Sequence, residues 1–201
     1  MDKIQNCLAE KTSNKYQLHK QLLLNPRIKI IGNFPDENIQ ELEDRIIKQN
    51  FSDLEGSYFK VLHLSNNPQK QFSTLFAEVN KIIYSYLAIN KRISVQFRKF
   101  KIYDDFNILR CFKCCHYGHS KKICKEEEIC YKCSSQHNSS ECNENENVKK
   151  CTNCIYSNDN YKTEFDFNHY ATDVSCPVLK IMINKKIKIT DYENNPQLQW
   201  Q

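Results

Sequence analysis

The chain has 201 residues, 40% apolar and 26% charged, with a formal charge of +5, eleven cysteines and three glycines. That is enough apolar chain for one real core and a smaller unit. The longest apolar run, Ile82 to Ile89, is short and broken by Ser85 and two tyrosines, so it reads as a buried helix and excludes a helical membrane span. The opening "MDKIQNCLAEKTSNKYQ" carries an acid at position 2 and no apolar stretch of a secretory signal. A reducing compartment is therefore expected, where cysteines bind metal rather than pair, and their odd number fits a fully paired framework poorly.

Residues 1–26 are polar apart from Leu22 to Leu24 and read as a lead-in helix or linker. "RIKIIG" from Arg27 is a short strand with Ile28 and Ile30 on one face, closed by Gly32 and Pro35. "DENIQELEDRIIKQN" follows as a helix with Asp36 as cap and Ile39, Leu42 and Ile46 along one side. "YFKVLHL" reads as a second strand, "SNNPQK" as a turn, and "QFSTLF" as a third strand in which Phe72, Thr74 and Phe76 alternate with Ser73 and Leu75. "EVNKIIYSYLAIN" places Val79, Ile82, Ile83 and Tyr86 on a helical face. "KRISVQF" is a fourth strand with Ile93, Val95 and Phe97 inward, and the apolar phase flips after it, predicting a bulge or strand end near Arg98 and Lys99.

The order β-α-β-β-α-β predicts an α+β class: a ferredoxin-like, RRM-like domain over 27–103 with both helices on one face of a four-stranded antiparallel sheet. RNA-recognition motifs stack bases on the open sheet face. Here "IIGNF" has Ile30 at the aromatic position, and "KQFSTLFA" keeps Phe72 without the glycine. A structural or protein-contacting sheet is the competing reading.

A linker, 104–110, within the basic stretch from Lys91 to Lys125, leads to the cysteines. Ten of the eleven fall between 111 and 176. C-x2-C-x4-H-x4-C gives Cys111, Cys114, His119 and Cys124 as one set, the spacing of a CCHC zinc knuckle over 111–124. Cys130, Cys133, His137 and Cys142 repeat it over 130–142 with one residue fewer before the histidine. Cys151, Cys154, His169 and Cys176 form an atypical third knuckle over 151–177, with fourteen residues between Cys154 and His169. Loop-closure entropy grows slowly enough with length to allow that. Zinc is the implied cofactor at all three, and the knuckles are expected to be small, metal-stabilised and poor in regular structure, with 178–201 as a tail. Cys115 and His116 are spare and expected to be exposed. Cys7, His19 and His63 have no ligand-spaced neighbours.

Between Lys91 and Lys125 ten basic residues face two acidic ones, a local charge of +8 that leaves −3 for the rest. Arg98, Lys99, Lys101, Arg110, Lys113, Lys121, Lys122, Lys125 and Lys132 are the phosphate-contacting set, and Phe112, Tyr117 and Tyr131 the stacking set, of an expected single-strand platform. The alternative for Phe112 and Tyr131 is packing over their own metal loops. An enzyme is not expected: neither H-x-E with P-C-x-x-C nor H-E-x-x-H occurs, and four protein ligands leave zinc no open position. The other function class kept open is a zinc-scaffolded protein-interaction module without nucleic-acid binding, although three serial units do not interleave ligands as a cross-brace does.

From Arg27 to Leu179 the order "RIKIIG", "IQELEDRIIKQN", "RISVQFRKFK", "CFKCCHYGHSKKIC", "ICYKCSSQHNSSEC", "KCTNC" and "HYATDVSCPV" resembles the Gag-like, first-reading-frame proteins of arthropod non-LTR retrotransposons. The resemblance implies a non-enzymatic coat and chaperone of the element's RNA, with the twelve Cys and His positions as zinc ligands. Single-stranded RNA is the expected partner, with DNA and self-association as further expectations and no membrane. The expected place is a cytoplasmic ribonucleoprotein with access to the nucleus. Against that family the N-terminal part is short, as expected of a truncated copy.

Overall fold

A computed structural model describes residues 22–34, 38–66, 72–145 and 147–192. Residues 1–21, with Cys7 and His19, lie outside it, as do Asp36, Gln201 and most of the expected turn at 65–70. Strand β1 is Arg27–Gly32, helix α1 Ile39–Asn50, β2 Phe59–Asn66, β3 Ser73–Val79, α2 Lys81–Asn90, β4 Arg92–Val95 and β5 Arg98–Asp104. The class is α+β, and the sheet is antiparallel with strand order β2-β3-β1-β5-β4.

The expected sheet of four strands therefore has five. The cause is the phase flip noted near Arg98. Gln96 adopts a left-handed φ of 56°, and Gln96 with Phe97 turns the chain between β4 and β5, whose Val95 and Arg98 lie opposite each other. This is a two-residue hairpin rather than a bulge. Phe97, expected inward, sits fully exposed at its tip. The place beside β1 is taken by β5, through Ile30 opposite Ile102.

Helix starts are set by asparagines. The Asn38 side chain accepts from Gln40 N at 3.0 Å, so α1 begins later than an Asp36 cap predicts. Alternation carries β3 on through Ala77 and Val79, both buried, and α2 starts after Asn80, whose Oδ1 accepts from Ile83 N at 3.2 Å. That start rotates the expected stripe. Ile83, Tyr84, Leu87 and Ala88 are buried, whereas Ile82 and Tyr86 are exposed, as is Ile39 on α1.

The core lies between sheet and helices, with Ile28, Ile30, Leu75, Ile93 and Ile102 facing Leu42, Ile46, Ile83 and Leu87. Ile30 is thus a core residue, not a base-stacking position. Thr74 and Phe76 occupy the other face of β3, and His63 stacks on Phe76 at 4.4 Å.

Helix α1 also reaches both sheet edges. Glu43 accepts from Val61 N on β2. Asn50 exchanges two hydrogen bonds with Ser94 on β4, at 2.7 and 2.8 Å, and Gln49 exchanges two with Gln96 at 3.3 and 2.9 Å.

The stretch after Pro177, expected as a tail, carries helix α4, Pro177–Lys188. Its Ile183, followed by Tyr192, joins the core, with Leu179 and Ile187 packed alongside. Leu24 and Thr190 form a parallel bridge, and Lys81 pairs with Asp191 at 3.7 Å. Tyr84 of α2 meets Tyr192 edge-on at 4.9 Å and donates to the buried carboxylate of Asp104 at 2.8 Å. Replacing Tyr84 with Phe removes that donor from a carboxylate 1% exposed. It is expected to destabilise the zinc-loaded protein by about 1–3 kcal/mol in urea unfolding.

Candidate metal centres and the surface around them

A short linker delivers the chain from β5 to the first cysteine cluster. The C-x2-C turns of the first two clusters are held in the same way. Lys113 N donates to Cys111 Sγ at 3.3 Å and Lys132 N to Cys130 Sγ at 3.4 Å. Cys115 N closes onto Cys111 O, and Ser134 N onto Cys130 O, both at 3.0 Å. Cys115 and Ser134 occupy the same place in their turns, with left-handed φ of 64° and 63°. Each unit then adds a single 3-10 turn, Lys121–Ile123 or Ser139–Glu141, before its last cysteine.

Three sets of ligand atoms converge: Cys111, Cys114, His119 and Cys124; Cys130, Cys133, His137 and Cys142; Cys151, Cys154, His169 and Cys176. Within each, all four lie within 4.8 Å of one another. Tetrahedral zinc with Zn–S near 2.3 Å requires S···S edges of about 3.8 Å and slightly shorter S···N edges. Cys142 to Cys133 is 3.8 Å, Cys151 to Cys176 is 3.8 Å and Cys154 to Cys176 is 3.6 Å. The histidine edges run through Nε2, at 3.3 Å for His119, 3.5 Å for His137 and 3.6 Å for His169. The ten described cysteines are all free thiols. Donor type, number and spacing fit zinc at all three, including the set with the long insertion.

Half of the insertion is helical. Residues Thr152–Tyr161 form helix α3, which starts directly after Cys151. It returns through Asn158, whose side chain donates to Phe165 O and accepts from Phe165 N, both at 2.9 Å. The regular structure of the third unit is therefore greater than expected.

The thiols are unevenly poised. Burial opposes ionisation of Cys111 and Cys130, and backbone N–H groups of the turns outweigh it, drawing them down to about 7 and about 6. Hydrogen bonding from Cys151 draws Cys176, at the start of α4, down to about 4, while the Cys151 thiol is pushed up. Burial lifts Cys154 to about 11. One thiol in each cluster is thus drawn toward its thiolate, and metal binding displaces the protons of the set.

The three units form one body. Asn153 Nδ2 on α3 donates to Cys115 O at 3.1 Å, Arg110 Nη1 to Ala171 O at 3.4 Å, and Ala171 N to Tyr131 O at 3.0 Å. Lys150 N donates to Lys132 O at 2.8 Å. Cys115, expected exposed, is only 5% accessible: it packs with Cys151, Cys154, Ala171 and Cys176, and its Sγ donates to Ile129 O at 3.4 Å. Its neighbour His116 is half-buried against Tyr156, with ring centres 5.1 Å apart. His63 stands apart on the sheet.

The aromatic set divides. Phe112 is 77% exposed with the Arg110 guanidinium 5.8 Å from its ring. Tyr131 packs against the third unit and meets Tyr170 edge-on at 6.3 Å. The Tyr117 hydroxyl is buried, and burial with the Cys176 and Cys151 sulfurs beside it pushes the phenol up. Arg98, Lys99, Lys101, Lys121, Lys122 and Lys125 are exposed, and Arg110, Lys113 and Lys132 half-buried. Sequence reading missed Asn153, Tyr156, Tyr161 and Lys185, which line a cleft with the first unit. The recurrence of Leu179, Ile183 and Ile187 at a spacing of four was the available signal for α4.

Comparison with known proteins finds two nucleic-acid-binding proteins from the mobile element jockey. The one from Drosophila funebris is 31% identical over 71 residues, 35% of this chain and 10% of its own length. That from Drosophila melanogaster is 35% identical over 71 residues, 35% of this chain and 11% of its own length. The chain thus spans about a tenth of the length of these curated relatives. Both are named as nucleic-acid-binding proteins rather than as enzymes. No family model and no solved structure matches.

Proposed function

We propose that this protein binds single-stranded nucleic acid, RNA first, as the Gag-like coat and chaperone of a retrotransposon ribonucleoprotein. The observation that carries this reading is the fusion of three zinc-type clusters into one body that exposes Phe112, Lys121, Lys122 and Lys125, with Lys113 and Lys132 half-buried. Rigid studs of this kind hold ring faces and ammonium groups in fixed register, which suits stacking of unpaired bases and tracking of phosphate. Similarity to the two jockey proteins supports the same class of partner. The strand order, with β5 beside β1 and both crossovers helical, supports a ferredoxin-like, RRM-like reading of the α/β part, and the metal units are read as CCHC knuckles. The particle is placed in the cytoplasm, with self-association along the RNA and access to the nucleus as parts of the same proposal.

The test is a titration of a uridine oligoribonucleotide with zinc-loaded protein at several salt concentrations. With about five cations on phosphate, the slope of log affinity against log salt is expected near −3.5, or roughly 100-fold between 50 and 200 mM. A flat salt response, or no binding by fully loaded protein, defeats the reading in favour of a protein-interaction module.

A further inference from the structure

Between the first metal unit, α3 and α4 lies a cleft of about 550 Å3. We infer that this cleft receives one unstacked base of the bound strand. The inference rests on the proposed nucleic-acid binding and assigns it a pocket outside the Phe112 surface.

The cleft is built for a flat ring with a polar edge. Its walls are aromatic: His116 and Tyr156 meet at 68°, and Tyr156 and Tyr161 at 71° with centres 6.2 Å apart. Neighbouring rings held nearly perpendicular leave ring faces unstacked by each other. Tyr156 is 48% exposed and Tyr161 69%, so both rings offer area to a ligand. Ile181 and Met182 of α4 supply an apolar floor.

The polar groups are positioned. Asn153, 3% exposed, ties α3 to the first unit through the carbonyl of Cys115, the residue before His116. Thr163 Oγ1 lies 3.0 Å from Ser157 Oγ and 2.8 Å from Asn158 Oδ1. Asn158 Oδ1 can only accept, so Thr163 donates to it and the Ser157 hydroxyl oxygen keeps a lone pair for a ligand donor. Glu126 can accept from an amino or ring N–H edge, and Lys185 can donate to a base carbonyl or to the adjoining phosphate. Lys185 is the lysine that lines the cleft, with Glu126 also on its wall; α4 carries Lys180, Lys186 and Lys188 besides, and Lys121 and Lys122 follow His119.

The probe is a uridine 12-mer carrying one central 2-aminopurine, titrated with the zinc-loaded full chain. The wild type is expected to bind and to quench the 2-aminopurine. Tyr156→Ala is expected to weaken binding about tenfold at every salt concentration and to lose the quench, since stacking is worth about that factor per base and is not screened. Tyr156→Phe keeps both, and Lys185→Gln shrinks the salt slope by about 0.7. Tyr161→Ala, at a position too exposed to support the fold, gives the same direction of loss with three zinc ions retained. Unchanged affinity and quenching in both alanine variants overturns the cleft while leaving nucleic-acid binding intact. Failure of the wild type to bind overturns both readings.

Discussion

Removing zinc from the reduced protein with a strong chelator is expected to unfold residues 111–176 and to lower single-strand affinity at least 100-fold. In the first two units the buried side chains are Cys111, Cys114, Cys115, Cys130 and Cys133. Four of those five are ligands, so without metal almost nothing apolar remains to oppose chain entropy. A structural zinc contributes on the order of 10 kcal/mol at neutral pH, more than any other single interaction in such a unit. Hydrogen exchange should then show protection lost across both units while the β1, β3 and β5 amides remain protected. Retained protection in 111–142 after complete metal release would refute this.

Replacing Cys176 with serine is the second large effect, and it should spread beyond its own cluster. The change is expected to reduce bound zinc from three ions to two, and also to lower the melting temperature of the α/β part. Cys176 is the residue from which α4 starts, and Leu179, one turn on, touches both the third metal cluster and the main core. Ile183 and Tyr192 complete that core at 5% and 4% exposure. If α4 undocks with its anchor, their burial is lost, a destabilisation of roughly 3 kcal/mol or more. Cys124→Ser provides the contrast. It too should lose one zinc, but Cys124 borders solvent in a unit with no helix into the core, so the α/β transition should stay where it is. Equal melting shifts in the two variants would argue against a strut.

Much of this was legible because the relevant signals are local. Ligand spacing identified all twelve converging Cys and His residues, and apolar alternation located β1, β2 and β3 within a few residues. What escaped depended on contacts distant in sequence. Nothing local reveals that Cys115 is buried, because its cover comes from Cys151, Ala171 and Cys176. The fifth strand was visible only as a phase flip read as a bulge or strand end, since the left-handed turn at Gln96 is held by Gln49, 47 residues earlier. Tyr117 looked like a stacking residue from its neighbours; its hydroxyl turns instead toward the sulfurs of a different cluster. Helix α4 was overlooked because its lysines disguise an apolar stripe.

One feature of the α/β part bears on life at high density. In the proposed coat, copies of this protein would sit side by side, where bare strand edges invite sheets to zip together irreversibly. Here Glu43 occupies a backbone donor of β2, while Gln49 and Asn50 occupy β4 and the turn after it. One helix thus covers part of each sheet edge, which reduces the bare backbone that a neighbouring sheet could pair with.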